Sequence, residues 1–235
     1  APGGFSSQRE LLIVNTSALP AVPLHDGAYA GLLTRQMVAL LAYYNAPGQP
    51  DWLTNALGWF IIRQIQSADL TADDIRPFLD APNTSLMQPS PAGGAGQEFG
   101  AQQLFLEYLR QRFSPQLLRD LFTQPGRGLQ PLNAALAQNN VVDLVTGEPL
   151  TAADVFSDFA LANVLNGAFA GDGRYLYRAV DFADAQPSVV VLRDNLNTTL
   201  NDGVVNQFGT RYIALTSATP VTVTISFAGQ PTVNR

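Results

Sequence analysis

Lysine and cysteine are both missing from this chain, and histidine occurs once, at His25. Without cysteine there is no disulfide and no thiolate metal site, and the redox compartment leaves no trace in the thiols. With a single imidazole, a multi-histidine zinc site cannot be assembled within one chain. All 13 basic residues are arginines, scattered singly among 19 acidic ones for a formal net charge of -6. That pattern offers no basic stripe, and nucleic acid is not an expected partner. No apolar run reaches the roughly 18 residues that a membrane-spanning helix needs. The opening "APGGFSSQRE" lacks the basic-then-apolar layout of a signal peptide, and suits a mature or trimmed chain whose targeting signal lies elsewhere. What is there is 235 residues, 46% of them hydrophobic, enough for one large domain or a main domain with a smaller appendage.

The hydrophobic pattern changes period along the chain. "ELLIVNTS" (Glu10 to Ser17) predicts a short strand, closed by prolines and the Asp26-Gly27 turn. From Tyr29 to Tyr44, residues Leu32, Leu33, Met37, Leu40, Leu41 and Tyr44 recur at three- and four-residue steps, which predicts a largely buried helix. "NAPGQP" stops it, and a second apolar helix, Asp51 to Ile65, starts with an acidic residue suited to the exposed amides of a helix N-terminus. "TADDIRPFLD" predicts a short capped helix, and Ala81 to Gln97 a long loop. Its "GGAG" lacks the preceding strand and following lysine of a phosphate loop. Four more helical pieces follow, the last with Thr151 and Asp154 spaced for a capping box. Beyond "GDGRYLYR" the pattern alternates, at Ser188 to Leu192, Thr210 to Ser217 and Val221 to Gly229, predicting a C-terminal antiparallel β unit. The fold class is therefore α+β: a mostly helical domain over residues 1–180, including a small N-terminal β element, and the β unit over 181–235.

Candidate chemistry is sparse. His25 and Asp26 are adjacent in a proline-flanked loop, and no G-x-S-x-G elbow exists for them to serve. The carboxylate pairs Asp73/Asp74, Glu98/Glu107 and Asp181/Asp184 read as helix-start charges and solvated turns rather than a glycosidase pair. Asp172 lies in a Gly-rich turn without the spacing of a calcium loop. Trp52, Trp59, Phe60, Phe105, Tyr108 and Phe113 recur at helical spacing and read as core. Asn15, Asn83 and Asn197 head glycosylation triplets.

The order of the segments "TRQMVALLAYY", "DWLTNALGWF", "EFGAQQLFLEYLRQRF", "TAADVFSDFALANVL", "GRYLYR" and "QFGTRYIAL" resembles the bacterial secreted zinc metallopeptidases of the immune-inhibitor-A-like, gluzincin-type group, from about Leu11 to Gly229. In that group one helix carries HExxH, and the next carries the third ligand, a glutamate, after a Trp-Leu pair. The resemblance places Arg35 at the first histidine, Gln36 at the catalytic glutamate, Ala39 at the second histidine and Asn55 at the ligand glutamate. Trp52 and Leu53 are retained, and Trp52 and Trp59 become candidates to line the cleft. A zincin needs two imidazoles one helical turn apart, a third ligand from the next helix and a glutamate to activate the bound water. None of these is present, and Arg35 would place a permanent positive charge where the cation belongs.

The resemblance thus implies a zincin-like scaffold without metal or other cofactor: a non-catalytic pseudopeptidase, not an enzyme. It would act as a structural or binding module of an extracytoplasmic bacterial protein or assembly, with protein partners or other subunits. Two alternatives stay open, a peptide- or carbohydrate-binding module that uses the vestigial cleft and a hydrolase with a non-zinc site. Arg35, Gln36 and Asn55 could donate to a ligand in that cleft, or Arg35 could pair with a nearby Asp or Glu and close it.

Overall fold

A computed structural model describes residues 27–88, 94–166, 173–180, 182, 185–193 and 204–225. The expected strand at Glu10 to Ser17, His25, Asp26, Asp172, Asp181, Asp184 and the triplets at Asn15 and Asn197 lie outside them. Among the described residues there are seven helices and two strands, a mostly helical α+β chain. They run α1 (Gly27–Asn45), α2 (Asp51–Gln66), α3 (Ala72–Asp80), α4 (Ala95–Arg112), α5 (Pro115–Thr123), α6 (Gln130–Gln138), α7 (Ala152–Leu165), β1 (Val189–Arg193) and β2 (Tyr212–Thr216). No described helix is long and apolar enough to cross a membrane.

Helix α4 is the centre of the block. Gln103 through Leu109 are buried without a break, so every face of these two turns is covered by neighbours rather than one stripe. At its N-terminal half α4 lies close against α3: a Cβ added to Gly100 would sit 2.9 Å from the Asp74 carbonyl oxygen and 3.1 Å from the Phe78 Cβ. Only glycine allows that approach. From the other side Phe159 of α7 meets Phe105 edge-on at 5.1 Å and Tyr108 at 5.7 Å, and Phe78 stacks on it at 6.3 Å. Ring pairs in this range add about 0.5–1.5 kcal/mol each beyond their burial.

Local signals set the helix ends. Thr71 with Asp74 and Thr151 with Asp154 form reciprocal capping boxes at α3 and α7. Ser114 accepts from the Leu117 amide with Pro115 in the first turn of α5. The carbonyls that end α5 have an unusual partner: the buried Gln49 amide donates to the oxygens of Leu121 (3.2 Å), Phe122 (3.1 Å) and Gln124 (3.3 Å). A side chain from the α1–α2 turn thereby satisfies groups that α5 cannot satisfy itself.

Two expectations are corrected. Helix α1 forms, yet Leu32, Met37, Leu41 and Tyr44 are exposed, and the side turned inward carries Gly31, Val38 and Ala42. Small residues win that face because they let α1 approach α2, Gly31 lying against Ile62. The second correction concerns the sheet, where β1 and β2 pair in parallel, Val189 opposite Tyr212 and Arg193 opposite Thr216. Both strands enter from one end. The Ser188 amide donates to the Leu79 oxygen just before β1, and the Thr210 amide to the Pro82 oxygen just before β2. Strands launched side by side from the same loop must run the same way. Val221 to Ile225, part of the third expected strand, are exposed and form no strand.

Candidate functional site

The positions aligned with the zincin ligands fall on the α1–α2 hairpin. The Arg35 guanidinium donates from Nη2 to Asn55 Oδ1 at 3.1 Å and lies over the Trp59 ring at 5.3 Å. Beneath it, a Cβ on Gly58 would meet the Arg35 Cγ at 3.3 Å, so the absence of a side chain at residue 58 is what admits the arginine stem. Trp59, 39% exposed, turns edge-on to Phe99 of α4 at 5.9 Å. Arg35, Asn55 and Trp59 therefore meet in one polar–aromatic contact at the helix seam.

The other three named residues do not join it. Gln36 and Ala39 are exposed on α1. Trp52 is buried in the first turn of α2, where its indole N–H donates to the Gly128 oxygen at 3.2 Å. It is a core residue that ties α2 to the start of α6.

Two charge clusters lay beyond the sequence reading. Glu107, expected as a solvated charge, is buried on α4. Its Oε1 accepts from Arg110 Nε at 3.0 Å and Gln111 Nε2 at 2.9 Å, while Oε2 faces Arg63 Nη2 at 3.5 Å. Burial lowers the Arg63 pKa from its ordinary value, with Glu107 and Asp74 opposing, and the hydrogen bond to Glu107 raises that of Arg110. A lone glutamate in an apolar run, "FLEYL", gives no signal that two arginines will close on it.

The second cluster lies where α4 and α7 meet. Arg112 pairs with Asp158 at 2.7 Å, and Arg174 with Asp143 at 2.9 Å. The Tyr108 hydroxyl accepts from Arg112 at 2.7 Å and donates to the Arg174 oxygen at 2.9 Å. Burial raises the Tyr108 pKa, so the hydroxyl keeps its proton. Asp143 is held at about 2 by the Thr146 and Val145 backbone N–H groups and then by Arg174. The cluster is a charge-paired brace, with no nucleophile set beside a base.

Asn83, the one glycosylation triplet among the described residues, is engaged in the fold. Its amide donates to the Val204 oxygen at 2.8 Å and its Oδ1 accepts from the Asn206 amide at 2.7 Å. Among the described residues no group of three or more His, Cys, Asp or Glu is placed to hold a metal ion. Arginine and asparagine at the seam do not fit zinc: one is a permanent cation and the other a neutral amide. No protein-family model matches the chain, and no curated protein matches it in sequence.

Proposed function

We propose that the chain is a non-catalytic module with a zincin-like hairpin, a pseudopeptidase that serves a structural or binding role in an extracytoplasmic bacterial protein. The observation that carries this reading is the Arg35–Asn55 hydrogen bond over the Trp59 ring. Two side chains at positions where the resembled peptidases carry metal ligands bond to each other instead, and a cation occupies the ground between the helices. The exposed apolar side chains of α1, Met37, Leu41, Tyr43 and Tyr44, favour a role in contact with other protein surface over a free-standing one. A lysine-free, cysteine-free composition is compatible with export.

Elemental analysis of the purified protein, together with a broad peptide-hydrolysis assay with and without chelator, tests the reading. Sub-stoichiometric zinc and no turnover above background are the expected results. Stoichiometric zinc with chelator-sensitive cleavage overturns it. Arg35→Ala should leave both readings unchanged, since the residue is assigned no chemistry.

A further inference from the structure

Beside the Glu107 cluster the surface opens into a cleft of about 280 Å³, lined by Arg63, Ser67, Asp69, Leu70, Glu107 and Arg110 among others. Arg63 is 8% exposed, and its Nε and Nη1 have no hydrogen-bond acceptor among the described residues. Its only ion pair among the described residues is the loose 3.5 Å contact of Nη2 with Glu107 Oε2. The Glu107 carboxylate is already committed, because Arg110 and Gln111 hold its other oxygen. Two guanidinium groups thus share one carboxylate, and Arg110 has the better half of it.

Neither remaining acid nearby completes Arg63. Asp74 acts on it through space, while its own Oδ2 accepts from the Thr71 amide and hydroxyl. Asp69 is exposed at the cleft and acts through space on Arg110. Buried guanidinium N–H groups without acceptors are costly, and buried charges in folded proteins are ordinarily paired or bound to a ligand.

We propose that this cleft is a binding site for a small oxyanion, a carboxylate or phosphate group, taken by Arg63 and Arg110 together. The free Nε–H and Nη1–H lie on different edges of the Arg63 guanidinium, so the two-pronged grip that planar oxyanions recognise forms when Nη2 leaves Glu107 and joins one of them. Both free atoms are buried in a residue that lines the cleft, so the guanidinium has to turn toward the opening to meet the anion. The 3.5 Å contact with Glu107 is long enough to yield to that turn. Asp69, which also lines the cleft, opposes the anion and sets a modest affinity. The site is separate from the α1–α2 seam and does not depend on the function proposed for it.

Titrating the protein with sodium acetate and, separately, sodium phosphate, against sodium chloride at constant ionic strength, tests this by following arginine Nε–H resonances. The Arg63 signal, identified by its loss in Arg63→Lys, should move saturably with one or both oxyanions and not with chloride. Which of them saturates distinguishes a carboxylate from a phosphate ligand. Asp69→Asn should tighten binding about threefold, the scale of one exposed like-charge contact removed. Should Arg63→Lys fail to fold, Arg110→Gln carries the test, with binding weakened about tenfold through loss of a charge-assisted donor. An Arg63 signal that follows neither oxyanion beyond chloride, or an affinity unchanged in Arg110→Gln, overturns the proposal.

Discussion

Glu107 is 3% exposed and is the only carboxylate in hydrogen-bond contact with Arg63 and Arg110 among the described residues, so removing its charge strands two cations in the α2–α4 seam. Breaking a buried pair by deleting one partner costs about 3–5 kcal/mol, and Glu107→Gln is expected near the lower figure because Arg110 is partly solvated. A urea midpoint unchanged within error would show that the pair contributes nothing. Asp143, half-buried, behaves differently because backbone N–H groups as well as an arginine hold its carboxylate. Its folded pKa, about 2, is depressed below the ordinary carboxylate value of about 3.9. Its contribution is therefore fully present above about pH 4 and disappears as pH falls through about 2. A carboxyl ¹³C titration should place its midpoint near 2, and a midpoint near 4 contradicts the bonding to Thr146, Val145 and Arg174. That Arg35 takes Asn55 as its acceptor, rather than a nearby Asp or Glu, is not legible in the sequence, because a neutral amide carries no charge signal to mark it as the arginine's partner. Glu107 is not legible either, because one acidic residue among leucines reads the same whether it faces water or closes with Arg110 one turn on and Arg63, 44 residues back on α2.

At the scale of elements, the helices could be read because their signals are local: apolar steps of three and four, Pro115 at a first turn, threonine and aspartate three apart. Which face a helix buries is a tertiary decision. For α1 the large apolar residues pointed one way in the sequence, and close approach to α2 chose the small ones. The same competition makes Gly100 irreplaceable. A methyl group there stands 2.9 Å from a backbone oxygen, so α3 and α4 must separate. Gly100→Ala gains helix propensity, about 1 kcal/mol, yet should lose more by overpacking, for a net destabilisation of about 1–2 kcal/mol. A thermal midpoint at or above that of the wild type would mean the helices can slide apart freely. Gln49→Ala should cost a similar amount, about 1–2 kcal/mol, by leaving the final carbonyls of α5 without their donor. Gln49→Glu, which keeps the shape without the donor, should be no better.

Across the whole molecule the parallel sheet is the feature that sequence pattern could not supply. Alternation marks candidate strands, but direction depends on where the chain re-enters, and here the end of α3 and the loop 81–86 after it decide it. That loop holds the segment 204–210 through Asn83, Ser85, Leu86 and Pro82, the Ser85 hydroxyl donating to the Gln207 oxygen at 2.8 Å and the Leu86 amide to the Phe208 oxygen at 3.3 Å. A Cβ on Gly209 would meet Asn83 at 2.9 Å, so the two segments lie in direct backbone contact. A two-stranded sheet is marginal on its own, so the positioning of β1 and β2 rests on this clasp and on the Tyr212 hydroxyl, which donates to the Ala160 oxygen at 2.8 Å. Asn83→Ala together with Ser85→Ala should loosen the sheet while sparing the helical core. Hydrogen exchange at the β1 and β2 amides should accelerate at least about tenfold, the consequence of losing roughly 1.4 kcal/mol of local hydrogen bonding. Amides of α4 between Leu104 and Leu109 should exchange as before, because their protection comes from packing that the clasp does not touch. If α4 loses protection in step with the strands, the C-terminal segment belongs to the cooperative core and the clasp is not a separable latch.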